Sequence, residues 1–234
     1  MNSKKLQENL ASNFTYDFTK DQKDVVESIS DFSSSISTRD IFLLKGYAGT
    51  GKTSLISALV KSLPSIGKRS VLLAPTGRAA KVLSKYSNKQ ASTIHRKIYW
   101  IRTRKNGNTY IKIKENTHSN TVFIVDEASM IPEATDKSFG NRSLLDDLIQ
   151  YVYDGIGCKL VLIGDTAQLP PVHLDISPAL NESFLNQAYS KEIISFTMKE
   201  VVRQEEDSTV LLNATHLRNK LGAEDYSFPK FDVN

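Results

Sequence analysis

The 234 residues are 40% hydrophobic and 24% charged, which fits a globular chain with a sizeable core and excludes a disordered or collagen-like one. Thirty Lys+Arg against 26 Asp+Glu leave +4, too mild a balance to demand a polyanionic partner, and the single cysteine excludes an internal disulfide framework. No run approaches the ~18 apolar residues of a membrane span, and the polar residues 1–9 lack the apolar core of a signal peptide, so a cytoplasmic protein without membrane contact is expected.

Residues 20–31 carry helical apolar spacing. Thr19 is placed as the N-cap, and Gln22 three residues on would complete a capping box. Serines 33–35 read as a short loop. The apolar run at 41–44 then reads as a strand buried on both faces.

Directly after it stands Gly46-Tyr47-Ala48-Gly49-Thr50-Gly51-Lys52-Thr53, a complete G-x-x-x-x-G-K-[ST] match that opens a helix over 52–63. Three glycines let the backbone wrap an anion, and the N–H groups of the loop and of the helix start, Ser54 included, favour negative charge. Lys52 is expected to reach the β- and γ-phosphates of ATP, and Thr53 to hold Mg²⁺ through its hydroxyl.

A strand at 70–74 and a helix at 77–86 follow. Residues 98–104 and 109–114 then flank Asn106-Gly107, a hairpin signal. A three-residue loop, 106–108, gathers Tyr99, Ile101, Thr103, Ile111 and Ile113 on one face. It leaves Trp100, Arg102, Arg104, Tyr110, Lys112 and Lys114 on the other, with Arg102 opposite Lys112. Such a face suits a phosphate backbone and stacked bases; the alternative is a solvated basic face.

The next strand, 122–125, ends in Asp126-Glu127, as a Walker B element does. Asp126 is expected to hold Mg²⁺ through its shell, and Glu127 to position and deprotonate the attacking water. A helix is expected over 143–153 and a strand over 160–163, the latter preceded by Cys158, whose apolar setting favours an inert buried thiol. The loop Gly164-Asp165-Thr166-Ala167-Gln168-Leu169-Pro170-Pro171 follows; Gln168 can hydrogen-bond a γ-phosphate or its attacking water, or Asp165 and Gln168 can simply stabilise a turn. A further strand is expected at 193–198. The alternation of strands and helices implies an α/β fold, a doubly wound, mainly parallel sheet with motifs at the carboxyl ends of its strands.

Taken with Ala74-Pro75-Thr76-Gly77-Arg78-Ala79-Ala80, Ala91-Ser92-Thr93-Ile94-His95-Arg96, Asp126-Glu127-Ala128-Ser129-Met130 and Val201-Val202-Arg203-Gln204, the chain resembles superfamily 1 helicases of the 5′-to-3′ subgroup, the RecD-like and Dda-like enzymes. The resemblance covers roughly residues 15–220 in family order. It implies a P-loop NTPase, RecA-like ATPase domain over 1–97 and 116–234, and an inserted hairpin subdomain over 98–115 that carries a strand-splitting pin. Phe18-Thr19-Lys20-Asp21-Gln22 looks like the family's adenine-reading segment, and the Gln22 amide can pair with adenine N6 and N7. That role competes with the capping box, since one amide cannot serve both.

Arg203 resembles an arginine finger, with a surface ion pair to Glu205 or Glu206 as the other reading. Thr76, Arg78, Lys81, Thr93 and His95 correspond to the path of single-stranded DNA, although His95 could equally be a packed or capping residue. Trp100 and Tyr110 are the hairpin aromatics placed to stack on bases. The resemblance further implies a second RecA-like domain absent from these residues, so the chain is expected to be the N-terminal portion of a longer ATP-dependent helicase. An ATP-switched DNA-binding or assembly module is the alternative. A P-loop kinase is disfavoured, because no lid-like arginine cluster is seen.

Overall fold

Runs of β-branched and aliphatic residues form the strands β1 (Asp40–Gly46), β2 (Arg69–Ala74), β6 (Thr121–Val125) and β7 (Lys159–Gly164), joined by the three-residue β3 (Ala91–Thr93) and by β8 (Glu192–Met198). The structure, a computed structural model, describes residues 1–103, 109–132, 143–165, 167–168, 177–200 and 202, then positions 213, 216–217, 220, 223 and 227–229. The six strands make one sheet in the order β3-β2-β6-β7-β1-β8, parallel at every pairing. A parallel sheet needs crossovers on both faces, and the central strands are accordingly buried throughout.

Alternate residues feed two cores. Ile41, Leu43, Phe123, Val125, Leu160 and Leu162 pack on one face with α5 (Ile94–Ile98), α6 (Leu144–Tyr153) and α7 (Glu182–Tyr189). Phe42, Leu44, Val122, Ile124, Val161 and Ile163 pack on the other with α1 (Asn2–Asn13), α2 (Lys20–Ser34), α3 (Lys52–Ser62) and α4 (Gly77–Ser87). This is the doubly wound architecture expected from the alternation of strands and helices.

Three expectations need correction. The polar N-terminus forms α1, held by fully buried Leu6 and Leu10 and by Asn13 Nδ2 donating to Ser62 Oγ at 3.1 Å. Ser33 and Ser34 belong to the last turn of α2, not to a loop; Ser33 is buried against the sheet side of that helix. The compact unit that holds the sheet ends at Val201, and Val202–Asn234 form a second unit, so the ATPase domain does not run to 234 as the sequence suggested. Within the second unit, Ala223 N donates to Lys220 O at 3.2 Å.

The hairpin exists as a separate two-stranded antiparallel sheet, β4 (Tyr99–Thr103) with β5 (Thr109–Ile113). Its register differs from the expected one by two residues: Trp100 faces Lys112, and Arg102 faces Tyr110. The Arg102–Lys112 opposition is therefore wrong. A slip of two preserves the face of every side chain while replacing a like-charge pair with cation–aromatic ones, which is the better cross-strand arrangement. Asn106-Gly107 and Arg104 lie outside the described residues.

Candidate nucleotide site and nucleic-acid edge

All six strands point the same way, so Gly46, Ala74, Thr93, Val125, Gly164 and Met198 end on one edge of the sheet. The P-loop leaves that edge from β1. Gly49 and Gly51 sit in the left-handed region, at φ 83° and 87°, which a side chain would strain. A Cβ on Gly46 would come within 3.0–3.1 Å of Thr50 Oγ1 and of Met198, so the loop can lie flat against β8 only with glycine there.

Thr50 is fully buried and donates to Tyr47 O at 2.9 Å; Ala48 and Ser54 are exposed, and Thr53 is half-buried at the start of α3. Lys52 Nζ donates to Gly46 O at 2.5 Å and to Tyr47 O at 2.8 Å. The ammonium is thus held over the concavity of the loop that the glycines open.

Gln22 comes to the same loop from α2. Its Oε1 accepts from Thr19 N at 3.1 Å while Thr19 Oγ1 accepts from Gln22 N at 3.3 Å, the reciprocal capping box. Its Nε2 donates to Thr50 O at 3.1 Å, and the side chain is buried. Of the two competing readings the cap is the one realised here, and it also ties α2 to the P-loop. One residue earlier, Asp21 Oδ2 accepts from Lys199 N at 2.8 Å, which fixes the start of α2 to the end of β8.

Asp126 follows the buried strand β6, two strands from the P-loop, and its Oδ1 accepts from Glu127 N at 3.0 Å. Burial first, and the neighbouring Glu127 carboxylate second, push its pKa up to about 6, against the pull of that N–H and of Lys52. Glu127 takes a left-handed backbone, φ 56° and ψ 37°, a conformation that costs a non-glycine residue ~1 kcal/mol or more. It is held there by the 3₁₀ turn Ala128–Met130, whose carbonyls at Ala128 and at Ile131 accept from Ser177 Oγ.

The loop after β7 meets this turn. Buried Asp165 accepts from Ala167 N through Oδ1 at 2.8 Å, so it does stabilise the turn. Gln168 does something else: its Oε1 accepts from Ser129 Oγ at 3.1 Å, joining the two carboxyl-end loops. The sequence displayed Ser129 within its motif, but no spacing rule links it to a residue 39 positions on. Thr166, residues 169–171 and Arg203 lie outside the described residues.

Along the same edge, Ala74 pairs with Thr93. Thr76 caps α4 by accepting from Ala79 N at 3.2 Å, and Thr93 caps α5 by accepting from Arg96 N at 3.2 Å. Each hydroxyl uses a lone pair in its cap, so its hydrogen can still point outward. Arg78 and Lys81 are exposed on the first turns of α4. His95 is half-buried with its ring 5.8 Å from that of Tyr99, nearer the packed reading than an outward-facing one.

Trp100 is exposed at the root of the hairpin, and Tyr110 is placed by its backbone opposite Arg102. Cys158 is buried, and burial pushes its thiol up, as expected of an inert residue. Among the described residues no helix is long and apolar enough to cross a membrane.

A family model described as an AAA domain matches residues 17–226. The ATP-dependent DNA helicase dda of Enterobacteria phage T4 is 31% identical over 180 residues, which cover 75% of this chain and 37% of that protein. The ATP-dependent RecD2 DNA helicase of Deinococcus radiodurans is 33% identical over 132 residues, 56% of this chain and 16% of its own length. In fold, the crystal structure of the Pif1 helicase from Candida albicans matches with a TM-score of 0.52 at 21% identity, over 87% of this chain and 44% of that one. The chain thus spans less than half the length of these relatives.

Proposed function

This chain belongs to the AAA domain family, and from that premise we propose that it is the ATP-binding and ATP-hydrolysing portion of a 5′-to-3′ DNA helicase that also contacts single-stranded DNA. The observation that carries this reading is the Ser129–Gln168 hydrogen bond, which couples the Asp126-Glu127 turn to the loop after β7 beside the P-loop. Similarity to two ATP-dependent DNA helicases supports it. So does the chemistry of the donor set: a glycine-opened loop, one ammonium and one carboxylate fit a magnesium triphosphate.

In the proposed mechanism, P-loop N–H groups and Lys52 hold the β- and γ-phosphates of ATP. Thr53 and ionised Asp126 would hold Mg²⁺, which supplies charge neutralisation on the phosphate oxygens. Glu127 accepts a proton as water attacks the γ-phosphorus in line; the bond to the bridging oxygen breaks, and ADP and phosphate leave. Gln168 orients the water or the γ-phosphate, and that contact reaches Ser129 and the Walker B turn. Arg203 stabilises the charge of the transition state. Gln22 reads adenine after releasing its bond to Thr50.

Thr76, Arg78, Lys81, Thr93 and His95 form the track for the DNA backbone, and a second RecA-like domain completes the cleft. Stepping needs two domains that close on ATP, so the 234-residue chain alone is expected to bind Mg-ATP weakly, hydrolyse it slowly and leave duplexes intact. Hydrolysis assayed on the full gene product with and without single-stranded DNA tests the motor: stimulation supports it, and indifference favours an ATP-switched binding module. Activity that survives Lys52→Ala would mean that the site is misassigned.

A further inference from the structure

A pocket of about 610 Å³ opens beside the edge strand β3, between α5, the root of the hairpin and the loop that leads from β5 to β6. Arg96, Lys97, Trp100, Lys114 and His118 line it, with Ala91 and Ser92 on the side of the sheet. It takes no part in the nucleotide site. Its composition needs an explanation of its own.

The wall is built firmly. Lys114 N donates to Ile98 O at 2.7 Å, and Lys114 Nζ donates to Arg96 O at 2.6 Å. The loop is pinned by buried Asn116, whose Nδ2 donates to Tyr151 O at 2.7 Å and whose Oδ1 accepts from His118 N at 3.0 Å. Lys97 Nζ lies 2.7 Å from His118 Nε2, which makes His118 the acceptor and so the neutral imidazole. Lys114 Nζ stands 4.9 Å from the centre of the Trp100 ring, and Trp100 is 57% exposed.

The charge is not offset. Among the described residues the ion pairs are Lys45–Glu182 and Lys159–Asp40, so none of Arg96, Lys97 and Lys114 is paired with a carboxylate. Glu115, the one carboxylate in the lining, is exposed. Burial, with Lys114 beside it, pushes the Lys97 ammonium down; burial, with Arg96 beside it, does the same to Lys114. Preorganised, mutually repelling cations around an exposed indole form a receptor for an anion attached to a flat ring.

Position narrows the ligand. Ser92 is followed directly by Thr93, the last residue of β3, and Thr93 pairs with Ala74 at the carboxyl edge. A strand of DNA lying over Thr76 and Thr93 must leave the sheet at β3, its outermost strand on that side, and the pocket lies there.

We propose that this pocket binds single-stranded DNA at the point where it leaves the carboxyl edge, with a backbone phosphate held by Lys97, Lys114 and Arg96 and an adjacent base stacked on Trp100. The proposal rests on the helicase reading and adds to it a fixed anchor at the root of the hairpin. Trp100 works there, at the second residue of β4, and not at the hairpin tip.

Trp100 is the sole tryptophan of the chain, so its emission reports on the pocket directly. The experiment titrates the 234-residue protein with a fluorescently end-labelled oligothymidylate, following anisotropy, and in parallel with the unlabelled strand, following Trp100 emission. The expected result is quenching of Trp100 with the same midpoint as the anisotropy change. Lys97→Ala/Lys114→Ala should raise that midpoint about tenfold or more at fixed salt and lower the log–log salt slope by ~0.7 for each phosphate no longer neutralised. Lys97→Arg/Lys114→Arg keeps the charge and should bind like the parent, which separates removal of the charge from misfolding.

Arg78→Ala should weaken binding yet leave the quenching at saturation intact. DNA binding that leaves Trp100 emission unchanged, or a Lys97→Ala/Lys114→Ala protein that binds like the parent, overturns the pocket while the helicase reading stands. Equal quenching by inorganic phosphate at the same concentration overturns the assignment to DNA. No anisotropy change at all overturns the underlying reading itself.

Discussion

Replacing Asp126 with asparagine should stabilise the folded chain at pH 8 even as it removes the carboxylate proposed for the metal. Burial and Glu127 raise the pKa of Asp126 from the ordinary 3.8 to about 6. At ~1.36 kcal/mol per tenfold change in affinity for the proton, that difference corresponds to ~3 kcal/mol as an upper bound, and about 1–3 kcal/mol for a half-buried group. The sign follows from the direction. A raised carboxyl pKa favours the protonated form in the fold, so its contribution is fully present below pH 3.8 and is lost as the pH rises through about 6. Above that, the parent protein holds an unfavourable buried charge that asparagine does not carry. Asparagine keeps an oxygen for the bond from Glu127 N. Urea unfolding of parent and Asp126→Asn, at pH 8 and again near pH 5, measures the effect. The gain should fall to about half near pH 5. A variant less stable than the parent at pH 8, or a gain equal at both pH values, would refute the electrostatic reasoning.

Gly164→Ala should destabilise the protein by about 1–3 kcal/mol, since a Cβ there would stand 2.8 Å and 2.9 Å from the Leu180 methyls and 3.1 Å from Ser129 N. The displaced Ser129 should also loosen its bond to Gln168, so ATP hydrolysis per folded molecule should fall with the melting temperature. Tyr99→Phe removes the buried hydrogen bond from Tyr99 OH to Asp147 Oδ2, 2.6 Å long, with a decrease of about 1.5–3 kcal/mol in urea unfolding. Its amide hydrogen exchange should quicken at β4 and β5 before β6 or β7, because Tyr99 anchors the hairpin root.

The central strands were legible because burial on both faces leaves a continuous apolar run, as in the five buried residues of β6. β3 was not, since Ala91, Ser92 and Thr93 at the edge of the sheet carry no such run. α1 hides because two leucines one turn apart are its whole apolar face, and α7 because its cap, Asn181 accepting from Phe184 N, precedes only a short apolar patch.

In the hairpin the faces were readable from the period of two, whereas the register, which periodicity leaves free to slip by two, was not. The site divides in the same way. Local motifs announced Lys52, Asp126 and Glu127 at once. The hydrogen bonds that join motifs, Gln22 to Thr50 and Ser129 to Gln168, are made by the sheet order and carry no spacing of their own. The pocket at the hairpin root was hidden for that reason too, since Lys97 and His118 meet only after the chain has folded back.

Hydrolysis of Mg-ATP by the parent and by Glu127→Gln, each with and without single-stranded DNA, tests the central claim most directly. The account predicts slow hydrolysis by the parent, faster when DNA is added to the full gene product. Glu127→Gln should hydrolyse ~10²-fold or more slowly while still binding nucleotide. Hydrolysis undiminished in Glu127→Gln would contradict it.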